Sequence, residues 1–194
     1  MKQKQKLALF SASLISIGVI KQMNTNQWLY YGLIAGELQI KAFILMVCNV
    51  VSPGTVENAK LLLAETIAVE SNNGKAKDES FTYGEGLTQF DNPTFEYIKN
   101  YFLQDKFQEL RSRIKTFLLI DLEKVQYTDL RKSPLLSILM ARLLYYKVPE
   151  AIPGTDQGRW EYYKKWFNSS LGATTKEKYF SAMNRAVFQE VQNV

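Results

Sequence analysis

VENAKLLLAETIAVESNNG, residues 56–74, is the stretch that decides the fold of this chain. Its apolar residues recur at the three- and four-residue spacing of one face of an α-helix. Ser52-Pro53-Gly54 marks a turn before it, and Thr55 stands where an N-cap residue is expected. Asn72-Asn73-Gly74 follows it, and Gly74 can adopt the left-handed backbone that ends many helices. The stretch therefore predicts one helix with both of its ends marked.

Glu70 lies on the apolar stripe of this predicted helix. It extends a row of three apolar residues, Ala59, Leu63 and Ile67. Because desolvation disfavours a charged carboxylate, an inward-pointing Glu70 should have a raised pKa, which suits a general acid. The alternative is a helix end whose carboxylate is neutralised by a nearby Lys or Arg. Glu57 and Glu65 fall off the stripe and are predicted to be solvated surface charges.

Composition removes several kinds of chemistry. The 194 residues include no histidine, which excludes Ser-His-Asp and Cys-His catalysis and argues against a catalytic zinc site. Cys48 is the single cysteine and is predicted to be a buried hydrophobic residue. The net charge of +5 comes without a nucleic-acid-binding motif, so we expect no nucleic-acid partner. We expect no cofactor and no metal.

Residues 1–52 are predicted to be a hydrophobic helical extension of a main domain at 53–194. Three lysines precede an apolar run at residues 7–20, a pattern shared by export signals, membrane anchors and packed helices. Contact with a membrane through residues 7–20 therefore stays open. Polar residues interrupt the next apolar stretch, Trp28–Val51, which argues against a lipid-facing span. We interpret this stretch as an amphipathic helix docked on the main domain.

The rest of the chain also shows helical periodicity and no strand-rich region, so the predicted fold class is mainly α. Further helices are expected near residues 95–103, 107–122, 135–146 and 160–167, with Pro134 placed to start the third of them. A buried stripe is predicted on that third helix at Leu135, Leu136, Leu139, Leu143 and Tyr146. A final surface helix is predicted at about 176–192. The aromatic cluster Tyr162, Tyr163, Trp166 and Phe167 either lines a cleft or packs in the core.

A second motif, Gly86-Leu87-Thr88-Gln89-Phe90, begins sixteen residues after Glu70. Tyr83 precedes it, and its glycine allows a backbone to approach a ligand closely. The amide of Gln89 can both donate to and accept from the N-acetyl group of a sugar. The segment is either part of a sugar-binding cleft or only a turn.

Glu70-Ser71, a polar loop and then Gly-Leu-x-Gln resemble the lytic transglycosylase branch of the lysozyme-like proteins, which is related to goose-type lysozymes. The resemblance implies a lysozyme-like helical domain with Glu70 as the catalytic acid and Ser71 as its companion. Gly86, Leu87 and Gln89 match the family's second motif, in which Thr88 here replaces the usual Met. With Tyr83, these residues are the expected substrate-binding set.

A third family motif, Tyr-Asn-Ala-Gly, is matched loosely by Phe167-Asn168 with Gly172 displaced. It adds Asn168 to the expected substrate-binding residues. The resemblance, judged by the order of these elements, covers residues 56–172. Flanking residues are similar to lysozyme-like proteins of tailed bacteriophages; they are Asp91, Phe95, Ala141–Tyr146, Pro149, Pro153 and Trp166–Ser169.

The resemblance implies a peptidoglycan lytic transglycosylase, carried in a phage tail and acting on glycan strands in the host cell wall, with other virion proteins as partners. A muramidase-type lysozyme is the second choice; its second carboxylate would come from Asp78, Glu79, Glu85 or Asp91. Two other functions stay open. One is a non-enzymatic tail protein on the same fold, and the other is a membrane-tethered endolysin.

Overall fold

The computed structural model describes residues 29–76, 84–169 and 172–189. Residues 7–20, Tyr83, Asp78 and Glu79 therefore lie outside the described residues. Helices dominate: α1 Gly36–Val51, α2 Val56–Ser71, α3 Asn92–Phe102, α4 Gln108–Leu118, α5 Pro134–Lys147, α6 Asp156–Tyr163 and α7 Lys176–Met183. Shorter 3-10 turns form at Pro53–Thr55, Asp105–Phe107 and Tyr127–Arg131, and a π-helical turn forms at Lys164–Asn168. The mainly α class is confirmed.

Helix α2 has the ends that its sequence predicts. It begins at Val56 with Thr55 at the N-cap position, although no side chain there accepts a backbone hydrogen bond. It ends at Ser71 because three successive residues turn left-handed: Asn72, Asn73 and Gly74 have φ angles of 49°, 57° and 76°. Asparagine and glycine are the residues that tolerate this conformation best. The chain direction after Glu70 is therefore encoded locally.

Helix α5 is the centre of the fold. Ser133 caps it by accepting the backbone N–H of Leu136 at 3.2 Å, and Pro134 occupies its first turn as predicted. Every residue from Leu136 to Tyr145 is buried, so the helix is covered on all sides. The predicted one-sided stripe is wrong at Tyr146, which is 41% exposed. When a helix is buried on nearly every side, the spacing of its apolar residues does not indicate which residue is exposed.

Helix α1 packs against α2, α4 and α5. Its inward residues belong to the same hydrophobic core as the rest of the described chain; they are Ile40, Ile44, Val47, Cys48 and Val51. The prediction of a docked helix is confirmed for Gly36–Val51, whereas residues 29–35 of the predicted stretch are not helical. The prediction of a buried Cys48 is confirmed, and burial raises the pKa of that thiol to about 11. Within the described ranges, no helix has both the length and the apolar character needed to cross a membrane.

The prediction that Glu65 is a solvated surface charge is wrong. Its side chain is completely buried, and Arg159 of α6 donates to both carboxylate oxygens at 2.7–2.9 Å. Tyr179 of α7 donates to Oε2 at 2.7 Å. Helices α6 and α7 cover a second face of α2, which a single stripe on the sequence does not reveal. Glu57, with 79% of its side chain exposed, is at the surface as predicted.

Helix α7 also differs from its prediction. It ends at Met183 rather than near residue 192, and it is not confined to the surface. Tyr179, Ala182 and Met183 are buried against the core. Its charged residues Lys176, Glu177 and Lys178 are exposed, which explains why the sequence resembles that of a surface helix. The apolar residues of α7 close the face of α2 that holds Glu65.

Removing the buried carboxylate should destabilise the fold strongly. Glu65→Ala removes the buried counter-charge of Arg159 and leaves only its ion pair with the half-exposed Asp156. We therefore expect the free energy of unfolding to fall by about 3 kcal/mol. Urea unfolding monitored by tryptophan fluorescence measures this loss. The matched control is Glu57→Ala on the exposed face of the same helix, with an expected change within about 0.5 kcal/mol. Equal losses in the two variants would contradict the structural role of Glu65.

Candidate active site

Glu70 stands in the last turn of α2, where the helix meets the polar loop. Its side chain is largely but not completely buried. The phenol of Tyr163, at the end of α6, donates a hydrogen bond to Glu70 Oε1 at 2.5 Å. The carboxyl group is thus held by a neutral donor and not by an ion pair. The alternative that Glu70 is neutralised by a contacting Lys or Arg is not seen among the described residues.

Burial raises the pKa of Glu70 to about 7 from its ordinary value of 4.5. The hydrogen bond from Tyr163 and the more distant charge of Lys178 act in the opposite direction, because both favour the ionised form. The same surroundings raise the pKa of the Tyr163 hydroxyl far above 10, so the phenol stays protonated and remains a donor. A carboxylic acid with a pKa near 7 can release and recover a proton at neutral pH.

The π-helical turn Lys164–Asn168 continues α6 past Tyr163 and brings Asn168 into the same neighbourhood. Asn168 Nδ2 donates to Thr174 Oγ1 at 3.3 Å, and the Tyr163 hydroxyl lies 3.3 Å from the same oxygen. Lys164 Nζ binds Asn168 Oδ1 and the carbonyls of Gly172 and Thr174 at 2.7–3.1 Å. Asn168 is therefore linked to Glu70 through Thr174 and Tyr163.

The turn Gly86–Gln89 is closed by an antiparallel bridge between Glu85 and Phe90. Gly86 has a φ of +75°, and a Cβ at this position would lie 2.7 Å from the carbonyl oxygen of Leu130. Only glycine fits here, for both backbone and steric reasons. Leu87 and Thr88 are buried, and the Thr88 hydroxyl lies 2.9 Å from Ser137 Oγ of α5. Thr88 thus anchors the turn to the core helix.

Gln89 is the polar residue of this turn that remains partly exposed. Its backbone has a φ of +48°. Its Nε2 donates to the hydroxyl of Tyr31 at 3.0 Å and to the carbonyl of Gly86 at 2.8 Å. Both bonds use the amide nitrogen, so Oε1 has no partner among the described residues and is held in one orientation. A ligand N–H or O–H can use this oxygen.

The structure brings the sequence motifs into one region. Phe90, at the end of the second turn, packs edge-on against Phe167 with ring centroids 5.7 Å apart. Phe167 stacks on Tyr163, again at 5.7 Å, and Tyr163 binds Glu70. On the other side, a Cβ on Gly74 would lie 3.3 Å from Leu87 Cδ1, so the loop after Glu70 contacts the turn directly.

Ser71 is placed differently from the other expected binding residues. It is buried, its hydroxyl donates to the carbonyl of Ile67 at 3.2 Å, and it accepts the backbone N–H of Gly74 at 3.1 Å. These contacts hold the end of α2 and the left-handed loop together. Ser71 therefore takes part in the hydrogen bonds that end α2.

The described candidates for a second acid are already engaged. Glu85 is buried and forms an ion pair with Arg131 at 2.5 Å. Asp91 caps α3 by accepting the backbone N–H and the hydroxyl of Thr94 at 2.7 and 2.8 Å. Asp78 and Glu79 lie outside the described residues. Glu70, by contrast, is partly exposed, its carboxyl group accepts from the neutral phenol of Tyr163, and its pKa is raised.

Sequence reasoning missed the polar partners of Glu70 and Asn168. Tyr163 is identified from the sequence only as one member of an aromatic cluster, and no periodic signal marks its hydroxyl as a donor. Thr174 and Lys164 carry no motif at all. Their roles come from the π-helical turn, which an i to i+3/i+4 pattern does not predict.

Comparisons of this chain with protein-family models, with characterised proteins and with solved structures find no match. In the part of the chain that the structure describes, no cluster of three or more His, Cys, Asp or Glu side chains is arranged to hold a metal ion.

The raised pKa of Glu70 should make stability depend on pH. Between about pH 4.5 and 7 the folded state binds this proton and the unfolded state releases it, so the stabilisation is complete at low pH and is lost as pH rises. We expect Glu70→Gln to gain about 2–3 kcal/mol relative to the unmodified protein between pH 4 and 8. Urea unfolding at the two pH values measures the change, and a difference independent of pH would contradict a raised pKa.

The hydrogen bond from Tyr163 should hold the pKa of Glu70 below the value that burial alone would set. Tyr163→Phe removes the donor and keeps the ring, so we expect the pKa of Glu70 to rise further. A carbon-13 NMR titration of the Glu70 carboxyl group reads it directly. Tyr162→Phe is the matched control, because the Tyr162 hydroxyl binds the carbonyl of Glu150. An unchanged or lowered pKa in Tyr163→Phe would show that the phenol does not tune the acid.

Proposed function

We propose that this protein is a peptidoglycan lytic transglycosylase that uses Glu70 as its only general acid and base. One observation carries the proposal: a partly exposed glutamate at a helix end has its pKa raised to about 7, and a phenol holds its carboxyl group. It is supported by the packing into one region of the three segments that resemble lytic transglycosylase motifs, which are joined through Phe90, Phe167 and Tyr163. The proposed fold is the lysozyme-like helical domain of that family.

The reaction implied by the resemblance needs one acid that changes role. Protonated Glu70 donates its proton to the glycosidic oxygen between N-acetylmuramic acid and N-acetylglucosamine, and that C–O bond breaks. The substrate's own N-acetyl group stabilises the positive charge. The Glu70 carboxylate then accepts the proton of the sugar's 6-hydroxyl, whose oxygen bonds to the anomeric carbon and gives a 1,6-anhydro product. A pKa near 7 suits both steps because neither protonation state is costly.

A single-acid mechanism fits the described carboxylates better than a two-carboxylate hydrolysis. An inverting or retaining glycosidase places a second free carboxylate across the bond. Glu85 and Asp91 are held by Arg131 and by the start of α3. Tyr163, which donates to Glu70, also supplies a rigid neutral partner that does not compete for the proton.

The substrate-binding roles follow the placement of the side chains. Gln89 offers an oriented amide oxygen, and Asn168 is held by Lys164 and Thr174 within the network that reaches Glu70. Gly86 and Leu87 shape the turn that carries Gln89. Within this proposal the protein belongs to the virion of a tailed phage, where it opens the host cell wall beside other tail proteins.

The decisive experiment is digestion of purified peptidoglycan by the unmodified protein and by Glu70→Gln. The variant keeps the size of the side chain and removes its titratable proton, so we expect the initial rate to fall by about 10²–10⁴-fold. Glu57→Gln, the same change at the exposed end of the same helix, is expected to keep the full rate. Equal clearing by the unmodified protein and Glu70→Gln would overturn the assignment of Glu70, and no clearing by either would favour a structural tail protein.

The product distinguishes the two enzymatic alternatives. Mass spectrometry of the released fragments should show anhydro ends, each one water lighter than the hydrated reducing end that a muramidase leaves. Hydrated ends that disappear in Glu70→Gln would support Glu70 as the catalytic acid and would show that the reaction is hydrolysis and not transglycosylation.

A further inference from the structure

A pocket lies beside the start of α2, at the end of the helix opposite Glu70. Its volume is about 640 Å³, within the range of small-molecule sites. One wall is the start of α2 with the turn before it, residues 52–58, and a second is formed by Arg142, Tyr145 and Tyr146 of α5. The loop at residues 148–152 completes it. A helix of this length separates its two ends by roughly 20 Å, so the part of the pocket at the start of α2 lies away from Glu70. Tyr145, on the far wall, packs on Phe167 of the candidate active site with ring centroids 5.7 Å apart.

Arg142 is the unusual residue of this pocket. It is only 2% exposed, yet no carboxylate contacts it among the described residues. Its Nε has no hydrogen-bond partner, and its Nη2 makes one long contact, 3.3 Å from Thr55 Oγ1. The thiol of Cys48 is a further polar neighbour, and it is uncharged because burial raises its pKa to about 11. The ring of Tyr146 lies 5.6 Å from the guanidinium.

The acidic residues at the edge of the pocket are already paired. Glu57 binds Lys60 at 2.6 Å, and Glu150 binds Lys165 at 2.8 Å. Both carboxylates are more than half exposed and point their charge into solvent. Within the described ranges Arg142 is therefore a buried cation without a counter-ion, an arrangement that costs stability. Burial accordingly lowers the pKa of Arg142, although a guanidinium remains charged at neutral pH.

The start of the helix adds a second source of positive potential. Neither Ser52 nor Thr55 uses its side chain to accept a backbone N–H of the first turn. Instead the Thr55 hydroxyl binds Ser52 Oγ at 3.0 Å. A helix N-terminus without a side-chain cap attracts anions through its dipole, and a guanidinium beside it can bind two oxygens of the same group.

We propose that this pocket binds a ligand that carries an oxyanion, a phosphate or a carboxylate, with Arg142 as its counter-ion and the first turn of α2 as a second set of donors. The walls beside Arg142 include Tyr145, Val148 and Ile152, so the rest of the ligand is apolar or aromatic. The site is a regulatory or partner-binding site and does not contribute to the proposed cleavage at Glu70. An oxyanion there supplies the charge that the described residues do not.

Gly54 provides a test that leaves Arg142 untouched. A Cβ at this position meets no atom within 4 Å, so the pocket edge has room for a side chain. Gly54→Asp introduces a carboxylate at the helix start, where acidic residues are favourable, and should compete with the ligand without harming the fold. Gly54→Asn is the uncharged control of nearly the same shape.

Isothermal titration calorimetry at constant ionic strength, with inorganic phosphate, phenyl phosphate and benzoate as probes, measures binding to the full chain. We expect saturable binding to the unmodified protein and to Gly54→Asn, and an affinity at least about tenfold weaker in Gly54→Asp and Arg142→Met. Tighter binding of phenyl phosphate assigns a phosphate ligand, and tighter binding of benzoate assigns a carboxylate ligand.

Thermal unfolding without a probe separates a binding role from a structural one. Because an unpaired buried charge is destabilising, Arg142→Met should have a melting temperature equal to or above that of the unmodified protein. No saturable binding of any probe, or equal affinity of Gly54→Asp and Gly54→Asn, would overturn the proposal. A large fall in melting temperature for Arg142→Met would overturn the counter-ion argument.

Discussion

The buried pair between Glu65 and Arg159 is the constraint on which the candidate active site depends. It joins the middle of α2 to α6, and the bond from Tyr179 adds α7 to the same point. Tyr163 follows Arg159 by one helical turn, and Glu70 follows Glu65 along α2, so one interface carries both contacts. Because the Arg159–Glu65 pair positions α6 against α2, it also places the phenol of Tyr163 next to Glu70. The chemistry proposed for Glu70 is a consequence of this packing.

Two carboxylates on one helix have different properties because their partners differ. Glu65 meets a guanidinium and a phenol, which supply a counter-charge and hold the helices in place. Glu70 is held by a phenol with no ion pair among the described residues, and burial raises its pKa to about 7. Burial raises the pKa of Glu65 as well, but there Arg159 and Tyr179 act against it. Arg142 presents the opposite case, a buried cation whose described neighbours leave it without a carboxylate.

The prediction from sequence was most accurate where the determinants are local. Asn72-Asn73-Gly74 ends α2 because these residues accept left-handed backbone, and Ser133-Pro134 starts α5 because a hydroxyl and a fixed φ suit a first turn. It was wrong for Glu65, because a residue off one apolar stripe can lie on a second buried face. It was also wrong for the extent of α7 and for Tyr146. The reason is related: periodicity indicates which residues share a helix face, but not which faces the rest of the fold covers.

The sequence by itself determined that the chain is mainly helical, where α2 begins and ends, and that an acid stands at its end followed by a glycine turn. These features follow from backbone preferences and residue spacing, which act over a few positions. The tertiary structure decided that Tyr163 reaches Glu70, that Arg159 neutralises Glu65 and that Arg142 lacks a carboxylate partner among the described residues. The first two contacts join residues more than 80 positions apart in the sequence, and the third observation depends on which side chains the fold places beside Arg142. Burial then decides how strongly each of these charges is affected.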